Sequence, residues 1–169
     1  MAPDSIDPLH YRRVLGYFPT GVTVITACTA DREPIGFTIG SFASVSLDPP
    51  LVGFLPMVTS DRWAAIRDAG TFCVNVLAAD QGDLCWRFAK TDVVAPFEGV
   101  NWRQSAVTGS PIIAGSIAWI DCSIDTVVAA GDHDFVIGRV LQLEHAPPEQ
   151  TPNALLFFRG QLGRFTGHD

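Results

Sequence analysis

Lysine is nearly missing from this chain: Lys90 is the only one among its 11 basic side chains. No GxxxxGK[ST] loop is present either, so any phosphate bound here must be met by arginine, hydroxyls or backbone N–H groups. Charge of both signs is scarce. Charged residues make up 17% of the 169 residues, against about 25% in an average soluble domain. A surface so poor in charge points to an apolar patch covered by a partner subunit. The net charge of −7 disfavours nucleic acid as a partner. No apolar run approaches the ~18 residues that a membrane helix needs. The opening MAPDSIDPLH has neither the basic start nor the apolar stretch of a leader, so a cytoplasmic protein is expected. The cysteines at 28, 73, 85 and 122 form no CxxC pair, and each lies among apolar residues. They read as small buried hydrophobes, not as a disulfide framework. GxGxxG, GxSxG and HExxH are all missing, which removes the common dinucleotide, serine-hydrolase and zinc-protease motifs. The histidines at 10, 133, 145 and 168 have no ligand spacing, so no metal site is expected. No carboxylate pair stands out as a hydrolytic dyad.

What is present reads mostly as strand. YRRVLGYF, residues 11–18, predicts a short first helix, after a flexible segment over residues 1–10. GVTVITACTA predicts a strand, DREP a turn, IGFTIGSFASVSL a second strand bent at Gly40, and PLVGFLPM a third. Short turns between the three favour antiparallel pairing. Ser60 is a good N-cap for a helix with Trp63 and Ile66 on one face and Gly70 as its stop. TFCVNVLA predicts a strand, and Asp80 is placed to cap a second helix, QGDLCWRFAK. TDVVAPFEGVNW reads as irregular. IAWIDCSIDTVV alternates, with Ile120, Cys122 and Ile124 on one side and Asp121, Ser123 and Asp125 on the other, as a half-buried strand does. DFVIGRVLQLEH and ALLFFRGQLGRF supply further strands. About seven strands with two or three short helices, and no regular crossovers, predict a mainly β, antiparallel, closed or nearly closed barrel. One domain over 1–169 accommodates them.

Two stretches suit an anion. GFTIGSFASVSLDPPLVGFLPM crowds Thr38, Ser41, Ser44 and Ser46 among apolar residues, with Thr59 just beyond, and then constrains the backbone with Pro49 and Pro50. The helix opening TSDRW brings free N–H groups and the positive dipole end to Ser60 and Arg62. Each alone is ordinary, since Ser and Thr populate strands and caps. Their succession within one short stretch is not. A third feature is AAGDHDFVIGRV, where a Gly131–Asp132 turn delivers His133 to the start of a strand.

With these residues the chain resembles the flavin reductase-like family, the short-chain NAD(P)H:flavin oxidoreductases. The resemblance runs from FPTGVTVITA to LLFFRGQLGRF. Its strongest parts are GFTIGSFASVSLDPPLVGF, GTFCVNVLAADQGDLCWRFA and AAGDHDFVIGRV, in the family's order and spacing. It implies an FMN-binding split β-barrel, antiparallel and Greek-key-like, with flanking helices. It implies a reductase that passes hydride from NADH or NADPH to FMN or FAD, bound or as substrate, and supplies reduced flavin to a partner monooxygenase. Carried over, Thr38, Ser41, Phe42, Ser44, Val45 and Ser46 would line the flavin, with Pro49 and Pro50 holding the exit of that strand extended. Ser60 would meet the phosphate, Phe88 and Lys90 would approach the flavin from the second helix, and Phe157 would lie near the nicotinamide. His133 matches the histidine of the family's GDH motif at the nicotinamide side. A 2′-phosphate would call for an arginine such as Arg159 or Arg164. A homodimer is implied as well. The alternatives are a split-barrel oxidase of the pyridoxine-phosphate oxidase type and a flavin-binding protein without turnover.

Overall fold

The computed structural model describes residues 6–147 and 153–167. The N-terminal helix α1 spans Pro8–Leu15, three residues earlier than the sequence suggested. Its start is set by Asp7, whose carboxylate accepts the N–H groups of Leu9 and His10 at 3.1 and 3.2 Å, and by Pro8 at the first helical position. Of the segment expected to be flexible, residues 8–10 are therefore the first turn of a helix, and residues 1–5 lie outside the described residues.

Then follow β1 (Thr20–Gly21), β2 (Thr23–Cys28), β3 (Pro34–Ile39), β4 (Ala43–Ser46) and β5 (Leu51–Phe54). Helix α2 (Asp61–Ala69) leads to β6 (Thr71–Val76), and α3 (Gly82–Ala89) to the short strands β7 (Trp102–Gln104) and β8 (Pro111–Ile113). The long hairpin of β9 (Ala118–Ala130) and β10 (His133–His145) precedes a last hairpin, β11 (Leu155–Phe158) and β12 (Gln161–Arg164). Seven strands form one antiparallel sheet in the order β3-β2-β6-β9-β10-β5-β4. A small sheet, β1-β11-β12, and the pair β7-β8 complete the described strands.

The stretch expected to form one bent strand is two. β3 and β4 occupy opposite edges of the seven-stranded sheet, yet only Gly40, Ser41 and Phe42 separate them in the chain. Such a link spans at most about 14 Å. The sheet must therefore curl until its two edges nearly meet, and they face each other across a seam without pairing. That is the split of the barrel. The Pro49–Pro50 pair does not hold an extended exit, either. Leu47–Pro50 is the turn of the β4–β5 hairpin.

Two cores flank the wall of the barrel. Inside it, Ile25, Phe37, Phe54, Phe72, Val74 and Val136 pack with Trp63 and Ile66 of α2. Phe54 meets Trp63 and Phe72 edge-on, with ring centroids 5.9 and 5.1 Å apart. Outside, Val22, Val24, Leu77, Cys85, Phe88, Phe97, Ile113 and Leu155 pack beneath α3. Alternate residues of β2 thus enter different cores, which is why that strand reads as apolar throughout. Asp121 departs from its expected solvent position. It is fully buried and accepts hydrogen bonds from the Thr108 N–H and hydroxyl. The loop before β8 covers what alternation alone would expose. No described helix is long and apolar enough to cross a membrane.

Candidate functional site: a cleft at the barrel seam

A cleft of about 770 Å³ opens beside the seam. Phe37, Thr38 and Ile39 of β3 form one side, and Leu55, Pro56 and Met57, just past β5, form another. Thr59 to Arg62 contribute the start of α2. Phe88, Ala89, Thr91, Val93 and Val94 contribute the end of α3 and the chain beyond it, and His133 closes the rim. A smaller apolar shelf of about 250 Å³ continues from it, sharing Thr38, Ile39 and Ala89 and ending at Trp86 and Phe157. These two rings meet edge-on at 6.4 Å. Another depression, of about 670 Å³, lies behind α2 near Cys28, Arg32 and Asp68, but no aromatic side chain lines it. Apolar walls with hydroxyls at one end suit a flat ring carrying a polar tail, and the cleft at the seam has both.

The helix start is built for a negative group. Ser60 caps α2, its Oγ accepting the Trp63 N–H at 3.2 Å, and Gly70 ends the helix at φ +70°. The first-turn N–H groups of Asp61 and Arg62 have no acceptor within the helix and sit at the positive end of its dipole. Arg62, in contrast, does not offer its whole fork to the cleft. Its guanidinium donates to the carbonyl oxygens of Gly36, Phe88 and Val93.

His133 is held by its backbone on both sides. The Asp134 N–H donates to Pro56 O at 3.0 Å, and the Val58 N–H donates to Asp132 O at 3.1 Å. Gly131, at φ +70°, makes the preceding turn possible. Asp134 is buried and accepts the Trp63 indole N–H at 2.8 Å, which ties the start of β10 to α2. The His133 ring is partly exposed, with Nδ1 2.8 Å from an Asp132 carboxylate oxygen. A carboxylate only accepts, so Nδ1 carries the proton and Nε2 is the nitrogen left for a ligand. The hydrogen bond and the charge of His133 hold the Asp132 carboxyl below its usual range, with Arg12 adding a smaller effect.

Of the residues singled out in the sequence, Thr38, Ser60, Phe88 and His133 meet in the cleft, and Phe157 lies on the adjoining shelf. Phe88 is nevertheless a core side chain, stacked edge-on against Phe97 at 4.9 Å. The Thr38 hydroxyl is already spent, donating to Cys85 O at 2.8 Å. Ser41, Phe42, Ser44, Val45, Ser46 and Lys90 do not line the cleft of the single chain. Ser41 fastens the β3–β4 link to the end of β5, continuing the β4–β5 register, its Oγ accepting the Leu55 N–H at 3.0 Å and donating to Leu55 O at 3.3 Å. Phe42 packs on the inner core. Ser44, Val45 and Ser46 belong to the edge strand β4, carried to the far side of the seam by the break at Gly40. Lys90 ends α3 as an exposed C-cap. That helix begins after Gln81, not Asp80. The Gln81 side chain accepts the Ala78 N–H and donates to Ala114 O. Sequence reasoning missed Asp134 and Trp63, because nothing in DHD or DRW signals a bond between residues 71 positions apart. The four cysteines are free, and Cys73, Cys85 and Cys122 are buried. Burial pushes the Cys122 thiol up to about 12 and raises the other three as well. Among the described residues, no group of three or more His, Cys, Asp or Glu could hold a metal ion.

The chain belongs to the flavin reductase-like family, whose model, described as a flavin reductase like domain, matches residues 15–166. It is 50% identical over 161 residues to a flavin reductase of Pseudomonas putida, covering 95% of this chain and 92% of that protein. It is 49% identical over 161 residues to the flavin-dependent monooxygenase reductase subunit HsaB of Rhodococcus jostii, covering 95% of this chain and 80% of that one. Among solved structures it is similar to the NADH:FAD oxidoreductase SgcE6 of Streptomyces globisporus in complex with NAD and FAD fragments. There the TM-score is 0.87 and the identity 36%, over 96% of this chain and 97% of that chain.

Proposed function

We propose that this protein is an NAD(P)H-dependent flavin reductase that passes hydride to FMN or FAD and supplies the reduced flavin to a separate monooxygenase. The observation that carries the reading is the cleft, where apolar walls, a free helix N-terminus and a fixed imidazole converge in a chain of this family. The names of the relatives favour NADH as reductant and a monooxygenase as partner. They also favour turnover over storage or amine oxidation.

Flavin, once bound, accepts hydride from nicotinamide by its own chemistry, so the protein needs no nucleophile and no strong base. Its residues have a positioning task. Phe37, Ile39, Leu55 and Pro56 offer apolar surface to the ring system. Ser60 and the first-turn N–H groups of α2 take the phosphate with neutral donors, as a chain so short of lysine requires. Nε2 of His133 would bond the carboxamide of a bound nicotinamide, and the Phe157 shelf would offer apolar surface beside it. Ser41 and Phe42 serve the flavin indirectly, by fixing the link between β3 and β4. The protein works as a cytoplasmic homodimer, in which the exposed apolar residues of β4 and the long hairpin are covered. The test is NADH and NADPH oxidation with FMN, FAD and riboflavin. The expected result is flavin-dependent turnover. Flavin binding without nicotinamide oxidation would leave a binding protein.

A further inference from the structure

Arg62 makes bonds that its position at the mouth of a cleft does not require. Nη1 donates to Phe88 O at 3.0 Å and, at a longer 3.4 Å, to Gly36 O, while Nη2 donates to Val93 O at 2.7 Å. The three acceptors lie in three different segments: β3, the end of α3, and the irregular chain that follows α3. Each of those segments lines the cleft, and the helix that carries Arg62 lines it too. One side chain therefore ties together most of the cleft's perimeter. For residues 91–94 it is the main restraint. Among the described residues no hydrogen bond other than the one to Arg62 holds this stretch to the body, and Val94 is 99% exposed. The guanidinium has no carboxylate within 4.0 Å among the described residues. Its charge is balanced by carbonyl dipoles, including one at the negative end of α3. Only arginine has a planar fork of five donors able to reach three carbonyls at once.

We infer that Arg62 is a positioning residue that sets the width of the flavin cleft by holding residues 91–94 against β3 and α3. This rests on the flavin-reductase reading of the cleft. Arg62→Met keeps much of the side chain's bulk and removes every donor. Arg62→Lys keeps the charge but reaches fewer carbonyls. Two measurements test the inference: backbone amide NMR order parameters over residues 91–95 of the flavin-free protein, and steady-state kinetics with FMN and NADH. In R62M, the order parameters over 91–95 fall while those of β2 and β6 are unchanged. The KM for flavin rises about tenfold with kcat within about twofold, as expected when charge-assisted hydrogen bonds that shape a site are lost. R62K falls between the two proteins in both measurements, and it carries the test alone if R62M does not fold. Wild-type order parameters over 91–95 in the variants overturn the inference. So does a fall in kcat with an unchanged flavin KM, which would place Arg62 in the hydride step. If the wild-type protein shows no flavin-dependent NADH oxidation, the flavin-reductase reading fails. The order parameters still decide whether Arg62 holds the segment.

Discussion

His133 stands between two carboxylates with different tasks. Asp132 holds Nδ1 of the ring from the exposed side, and Asp134 is turned inward to the indole of Trp63. The imidazole is thus aimed by its neighbours, and its own bonds leave one nitrogen available. If that nitrogen meets the nicotinamide, His133→Ala raises the KM for NAD(P)H and lowers kcat/KM roughly tenfold, the cost of about one neutral hydrogen bond. Flavin affinity changes little, because the α2 start and the β3 wall remain. A loss of several thousandfold in kcat would imply proton transfer, which hydride delivery does not demand. Unchanged kinetics with a lowered Tm would reduce His133 to a turn residue. At this scale the GDH turn was legible, since Gly and Asp set its geometry locally. The burial of Asp121 was not, because the loop that covers it comes from residues 13 positions away and arrives only through folding.

The elements that matter most are β3, β4 and α2. Ser60 and Ser41 looked alike in the sequence, as two hydroxyls beside one phosphate. Their structural settings separate them. Ser60 caps the helix whose N-terminus lines the cleft, whereas Ser41 bonds both backbone groups of Leu55. Ser60→Ala therefore costs about 1 kcal/mol of stability as a lost cap. It also weakens FMN more than riboflavin, by up to about 1.5–3 kcal/mol if the hydroxyl also meets the phosphate. Ser41→Ala loosens the link between β3 and β4 and weakens both flavins alike. Titrating both flavins against both variants, by quenching of flavin fluorescence, checks this. Equal weakening of FMN and riboflavin by Ser60→Ala would remove the phosphate from the α2 start. The cap was legible from Ser60 and Gly70, which act within one turn. The break between β3 and β4 was not. Gly40 suggested a bend, but assigning the two halves to opposite edges of a sheet requires knowing how all seven strands pair.

Over the whole molecule, the described chain leaves a large apolar surface open. Leu47 is 92% exposed, Val128 49% and Leu143 59%, and α1 buries none of its residues. Few charges are available to make such a surface comfortable in water. Light scattering at micromolar concentration is expected to show a dimer burying more than ~2,000 Å² in total. A monomer would leave these residues without a purpose. The sequence by itself determined the mainly β character, the caps of α2, the Gly131–Asp132 turn and the scarcity of cations that leaves anion binding to neutral donors. These follow from contacts within a few residues and from periodicity, both of which the chain writes locally. Only the tertiary structure decided which hydroxyls line the cleft and which fasten the β3–β4 link to β5. It also turned Arg62 from an anion ligand into a tie between cleft walls and buried Asp121. The reason is physical: curling a seven-stranded sheet brings residues far apart in the chain into contact, and a side chain's partner is chosen at that closure.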